Sequence, residues 1–192
     1  MSIGLVRLGA GLALLYAARR YYRNWNTTKA ECSSTLPGDE LVGRPAVQST
    51  EGVWIDAPAS IVWACLAEMS DEGRLAPGVV VRLAPKGWLG RHDGLSMSVV
   101  SVNDGEDVVL RGSPPAFPWD AVWSFHVQPH WEDRCRLLAR SRARLMHPRN
   151  VVFSELAGPM TALAVRRLLL DIKRKAQESS AAADDVTARA QQ

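Results

Sequence analysis

Between Ala121 and Leu145 the chain alternates, and this restricts its fold more than any other feature. Ala121, Trp123, Phe125 and Val127 interleave with Val122, Ser124 and His126. Beyond a turn near Pro129, Cys135, Leu137, Ala139, Ser141, Ala143 and Leu145 interleave with a face made mostly of arginine. Period two puts successive side chains on opposite faces of a strand, whereas a helix would scatter the same apolar residues around its axis. Two such runs joined by a turn predict an antiparallel pair. A sheet with one apolar face needs a cover for that face.

The flanking sequence supplies the rest of the sheet and its cover. Val53-Trp54-Ile55 predicts a short strand, ended by Asp56-Ala57-Pro58. A helix follows, with Asp56 as a candidate cap, Pro58 in the first turn, and Ile61, Val62, Cys65, Leu66 and Met69 on one face. Gly73 and Pro77-Gly78 end it. Val79 to Leu83 is rich in strand formers, Leu95, Met97 and Val99 alternate with serines, and Asn103-Asp104-Gly105 is a hairpin turn leading to Val108–Leu110. From about Gly158 to Gln177 a helix is expected, with Leu163, Ala164, Leu168, Leu169 and Ile172 as its buried stripe and basic residues at its end. The predicted class is α+β: an antiparallel sheet packed around a long C-terminal helix.

At 192 residues the chain suits one domain with short tails, and 47% hydrophobic with 22% charged residues excludes global disorder. The net charge of +3 is too small to argue for a nucleic-acid partner. Cys32, Cys65 and Cys135 are odd in number and lack metal-type spacing, so they are expected to be reduced structural thiols. Residues 1–25 are expected to form an apolar membrane-anchor helix. Ile3 to Ala18 is apolar or small except for Arg7, and Tyr16, Tyr21, Tyr22 and Trp25 suit an interfacial belt. A helix packed on protein or lying in the interface, and a cleaved signal peptide, are the alternatives. Arg19, Arg20 and Arg23 after the apolar run place the domain on the cytoplasmic side of a membrane. Residues 26–50 have turn-forming composition and are expected to be a linker, 51–177 the folded domain, and 178–192 a disordered tail.

Several short motifs, taken in order, resemble those of the START-like (SRPBCC, polyketide cyclase/dehydrase-like) superfamily. Asn24-Trp25 followed by Leu36-Pro37-Gly38-Asp39-Glu40-Leu41 resembles the lead-in of an actinobacterial group of these proteins that carries an N-terminal apolar segment. Ile55-Asp56-Ala57-Pro58 with Val62-Trp63 resembles the entry from first strand to first helix. Val109-Leu110-Arg111-Gly112, Trp123-Ser124-Phe125, Arg140-Ser141-Arg142-Ala143-Arg144 and Leu170-Asp171-Ile172-Lys173-Arg174 follow in the same order, over roughly residues 24–177. The resemblance implies a helix-grip fold, a curved antiparallel sheet around the C-terminal helix with an apolar cavity between them. Relatives carry a longer, aromatic-rich stretch where only Ser70 to Gly78 stands here, which implies a pocket that is smaller, more open or absent.

No catalytic or phosphate-binding motif is present, and no cofactor or metal is expected. His126, His130 and Glu132 are spaced by even numbers, but a solvated strand end explains them better than a metal site. Arg134, Arg136, Arg140, Arg142 and Arg144 share one face, read either as the solvated outside of the sheet, paired with nearby carboxylates, or as a surface for anionic headgroups. Aromatic residues do not interleave with them, which disfavours nucleic acid. Met97, Val99, Leu110, Trp123, Phe125 and Leu168 are the candidate ligand-binding wall, and plain core is the alternative for each. The expected function is membrane-tethered binding or carriage of a hydrophobic small molecule, a lipid or a polyketide-like compound. A polyketide cyclase/dehydratase-like enzyme and a ligand-free membrane scaffold are the alternatives. The partners are then that ligand and membrane lipids, reached through the N-terminal segment.

Overall fold

The computed structural model describes residues 24–84, 95–115, 120–144 and 150–190, with scattered positions between 7 and 16. In chain order these residues form α1 (Lys29–Ser33), a 3-10 turn (Asp39–Val42), β1 (Val47–Ile55), α2 (Ala59–Ala67), β2 (Val80–Ala84), β3 (Leu95–Asn103), β4 (Asp107–Gly112), β5 (Asp120–Trp131), β6 (Arg134–Arg144) and α3 (Asn150–Ala190). The six strands make one antiparallel sheet in the order β1-β6-β5-β4-β3-β2. Successive strands from β2 to β6 are neighbours, and β1 closes back on β6, so α2 carries the chain from one edge of the sheet to the other.

Each strand presents alternate residues to two different layers. On one face Val53 and Ile55 of β1, Val81 of β2, Met97 and Val99 of β3, Val108 and Leu110 of β4, Trp123 and Phe125 of β5, and Leu137 of β6 belong to a single apolar core. The core is completed by Val62, Cys65 and Leu66 of α2 and by Val165, Leu169, Ile172 and Ala176 of α3. These four α3 residues recur at four, three and four positions, a single helical stripe, and the helix packs chiefly against β1 and α2. The short segment 70–78 stays at the edge of this layer, where Ser70 bridges to Val81 and Leu75 and Ala76 pack partly against the core.

The structure corrects several element boundaries. β1 is nine residues long rather than three, because its first half lacks apolar alternation. Residues 26–50, read as a linker, hold α1, the 3-10 turn and the start of β1. The terminal helix starts at Asn150 and runs through Pro159, and it continues to Ala190 across the stretch expected to be a disordered tail. Alanine is the strongest helix former, and the alanine-rich composition of this stretch lets the helix continue with little to bury. Within α3, Leu163 and Leu170 are 44% and 47% exposed and Ala164 is exposed, so the buried stripe is shifted from the expected one. Asp56 does not cap α2, whose N-cap is Pro58; its carboxylate meets Arg134 at 3.1 Å and Gln177 at 3.3 Å. The expected anchor, residues 1–25, lies almost wholly outside the described residues. Among those described, no helix is long and apolar enough to cross a membrane.

Candidate functional site

The cross-strand register decides which side chains meet. Leu110 pairs with Trp123, and Trp123 with Ser141. One row along the strands, Val108 pairs with Phe125, Phe125 with Ala139, and Ala139 with Glu51. Val81 faces Met97, and Val99 faces Leu110. The five strand residues expected to line a ligand wall therefore do converge on the helix-facing side, all buried. Leu168, the sixth, is half-buried and packs against the same core, while Leu169 takes the centre of the stripe. The β6 contribution to this face is small-sided: Ala139, Ser141 and Ala143 follow Leu137.

Sequence reading missed one residue on this face. Glu51 lies one row along the strand from Val53, on the same side, and is 1% exposed. Neither carboxylate oxygen has a hydrogen-bond partner among the described residues. Arg166 of α3 approaches Glu51 with its Nε 3.9 Å from Oε2, an ion-pair distance beyond hydrogen-bond range, and its guanidinium lies 5.1 Å from the Trp25 ring centroid. Burial pushes the Glu51 carboxyl up to about 8, with Arg166 opposing the rise. A lone glutamate at the first position of the expected domain, ahead of the predicted strand Val53–Ile55, gave no periodic signal, and only its pairing with Ala139 reveals that it faces the helix.

The outer face is built differently. The segment 24–43 folds back over it and covers the arginines. Arg140 is sealed in: Nε donates to Thr50 Oγ1 at 3.1 Å, Nη1 to the Ser34 carbonyl at 2.6 Å and Asp39 Oδ2 at 2.8 Å, and Nη2 to the Glu31 carbonyl at 2.6 Å and that of Cys32 at 3.2 Å. Arg142 Nη1 sits 2.8 Å from Asp39 Oδ1. Arg136 donates to Glu31 at 2.9 Å and to the Asn26 carbonyl. Glu31 also closes a capping box with Thr28 at the start of α1. Burial alone would raise its pKa, but the bonds from Arg136 and Thr28 outweigh it and the net shift is downward. Gly38, at φ +91°, lets the turn approach so closely that a Cβ would stand 2.8 Å from a Val109 methyl. The expected pairing with carboxylates is present, but Arg136 and Arg140 are neither solvated nor open to headgroups, which corrects both readings of their exposure, while Arg144 is exposed. An outer cavity of about 380 Å³ opens beside Arg140 and Arg142, but Arg140's guanidinium is already committed to the protein's own oxygens.

The histidines do not assemble. His126 is buried and shares a 2.9 Å hydrogen bond with Ser124, and burial with nearby Arg140 lowers its pKa to about 4. His130 packs edge-on to Trp54 at 5.0 Å, and Glu132 is exposed in the β5–β6 turn. Among the described residues no group of histidine, cysteine and carboxylate side chains suits a metal ion.

The long helix held against one face of an antiparallel sheet, with a short helix crossing between the edge strands, is the helix-grip arrangement that the START-like resemblance implies. No protein-family model matches the sequence, and no curated protein matches it. Solved structures that resemble it include the di-domain aromatase/cyclase BexL of the BE-7585A biosynthetic pathway, at 14% identity over 67% of this chain, with TM-score 0.48. The match spans 46% of that larger chain. Norcoclaurine synthase of Thalictrum flavum matches at 16% identity over 65% of this chain and 94% of its own, with TM-score 0.43. A protein of Thermobifida fusca matches at 19% over 62% and 91%, with TM-score 0.42.

Proposed function

We propose that the helix-facing side of the sheet binds a hydrophobic small molecule, lipid or polyketide-like, non-covalently, and that the apolar segment 1–25 tethers the domain to a membrane. One observation carries the binding reading: Met97, Val99, Leu110, Trp123 and Phe125 form a continuous apolar surface whose β6 neighbours are the small Ala139, Ser141 and Ala143. An apolar guest would sit beneath the helix where these small residues stand beside large ones, and its burial contributes roughly 25 cal/mol per Å² before association costs. The outer face, covered by segment 24–43 over Arg136 and Arg140, offers no comparable apolar surface there.

A bound ligand raises the melting temperature in proportion to its affinity. Native mass spectrometry of protein made in its own host is expected to recover an apolar adduct, and a lipid and polyketide panel to raise the melting temperature. Val99→Trp fills the wall and is expected to reduce that shift more than it reduces stability. Recovery of bare protein with no thermal shift across the panel would leave a ligand-free scaffold as the better reading. A second reading, cyclase- or dehydratase-like chemistry, is favoured by Glu51, a carboxyl held protonated in apolar surroundings where a general acid operates.

A further inference from the structure

Glu51 is an expensive residue for a structural role. A buried carboxyl without hydrogen bonds weakens a fold, and an apolar side chain of similar size would serve packing better. Its neighbourhood is also organised. Ala139 separates it from Phe125 in the same transverse row, so with strands about 4.8 Å apart the backbones of Glu51 and Phe125 stand roughly 10 Å apart. One row along, Ser49 and Ser141 share a 2.8 Å hydrogen bond and are only half-buried, so the row opens towards that end. Arg166 faces the carboxyl from α3.

From this juxtaposition we infer that Glu51, with Arg166 and the Ser49–Ser141 pair, forms the polar end of the ligand site and holds an uncharged oxygen, a ketone or similar carbonyl, of an otherwise apolar molecule. The inference rests on the proposed binding at this face and names the ligand's polar end. An apolar body spans the Phe125–Trp123 wall over Ala139, and its carbonyl reaches Glu51. A protonated carboxyl donates one hydrogen bond, which a carbonyl oxygen accepts and a hydrocarbon cannot. The raised pKa keeps that donor in place at neutral pH. Among the described residues, Arg166 is the charged group that faces Glu51; β6 presents Ala139, and the incoming segment presents Trp25.

The test pairs two probes of nearly equal shape, 2-acetylnaphthalene and 2-ethylnaphthalene, measured by calorimetry on the full chain. Wild type is expected to bind the ketone about tenfold more tightly at pH 6.5, the value of one good hydrogen bond in a dry site. That preference should shrink above pH 8 as Glu51 ionises. Glu51→Gln keeps an N–H donor, so it should retain a preference that no longer depends on pH. Glu51→Leu should bind both probes alike. Equal binding of the two probes by wild type, or a ketone preference surviving in Glu51→Leu, would overturn the polar subsite while leaving apolar binding intact. Failure of both probes to bind wild type would overturn the apolar site itself, and the subsite with it.

Discussion

Arg140 shows how much one side chain organises here. Its guanidinium reaches five oxygens, three of them main-chain carbonyls in α1 and the turn after it, so it fastens the N-terminal cover to the middle of β6. A planar fork of donors suits this task and a lysine ammonium does not. Arg140→Ala should cost about 3–5 kcal/mol, because it removes one of the two arginines that pair with the buried Asp39 and leaves Thr50 and several carbonyls without their donor. Arg140→Lys should recover only a minor part in urea unfolding. Glu51 and His126 set opposite pH limbs. Glu51 is raised from 4.5 to about 8, so the folded chain keeps a proton that the unfolded chain releases, and stability falls as pH rises from 4.5 to 8. His126 is lowered from 6.5 to about 4, so its contribution is present above 6.5 and is lost as pH falls towards 4. The two slopes oppose each other between 4.5 and 6.5. From 6.5 to 8 the Glu51 limb stands alone of the pair, and Glu51→Gln should flatten it, as read from urea midpoints at both pH values.

At the scale of elements, α3 separates burial from hydrophobicity. Leu169 is fully buried, Leu168 lies half-buried on the stripe's flank, and Leu163 and Leu170 point away from the core. Leu169→Ala should destabilise by about 2–5 kcal/mol through lost burial and a residual cavity. Leu168→Ala should cost less, and Leu163→Ala should fall within about 0.5 kcal/mol of wild type. A lower melting temperature for Leu168→Ala than for Leu169→Ala would reverse this helix facing. β1 carries a different constraint. A Cβ at Gly52 would lie 2.7 Å from both Arg136 Nη2 and a Leu138 methyl. Gly52→Ala should therefore cost about 1–3 kcal/mol, as overpacking does.

For the whole molecule, the segment before β1 is part of the fold rather than a lead to it. Thr50 N–H donates to Asn24 Oδ1, Gly52 N–H to the Trp25 carbonyl, and Asn26 and Thr27 donate back to the Gly52 and Thr50 carbonyls. These bonds occupy the free edge of β1, which would otherwise pair with another chain. A chain beginning at Arg23 should fold with wild-type stability and lose membrane attachment on fractionation. One beginning at Arg44 should lose cooperative unfolding, because Arg136 and Arg140 lose their carboxylate and carbonyl partners in residues 26–39 and the β1 edge is uncovered. Persistent membrane pelleting of the chain beginning at Arg23 would show that residues 1–22 are not the tether.

The sequence alone settled which stretches are strands and helices wherever one face of an element is apolar throughout. Trp123–Val127 and Leu95–Val99 alternate because one of their faces meets the core, and that periodicity survives in a single sequence. It also placed Met97 with Val99 and Trp123 with Phe125, since parity within a strand follows from the pleat, while the register across β3, β4 and β5 brought these pairs and Leu110 to one face. The fate of polar residues was decided by tertiary structure. Thr50, Arg136 and Arg140 look like a solvated surface until the turn-rich stretch of 24–43 folds back on them. Glu51 looks like loop until it pairs with Ala139. Apolar burial imposes a period that can be read locally, whereas burial of a charge depends on partners distant in sequence; Arg140 meets Asp39 across 101 residues. Only the folded chain brings such pairs together.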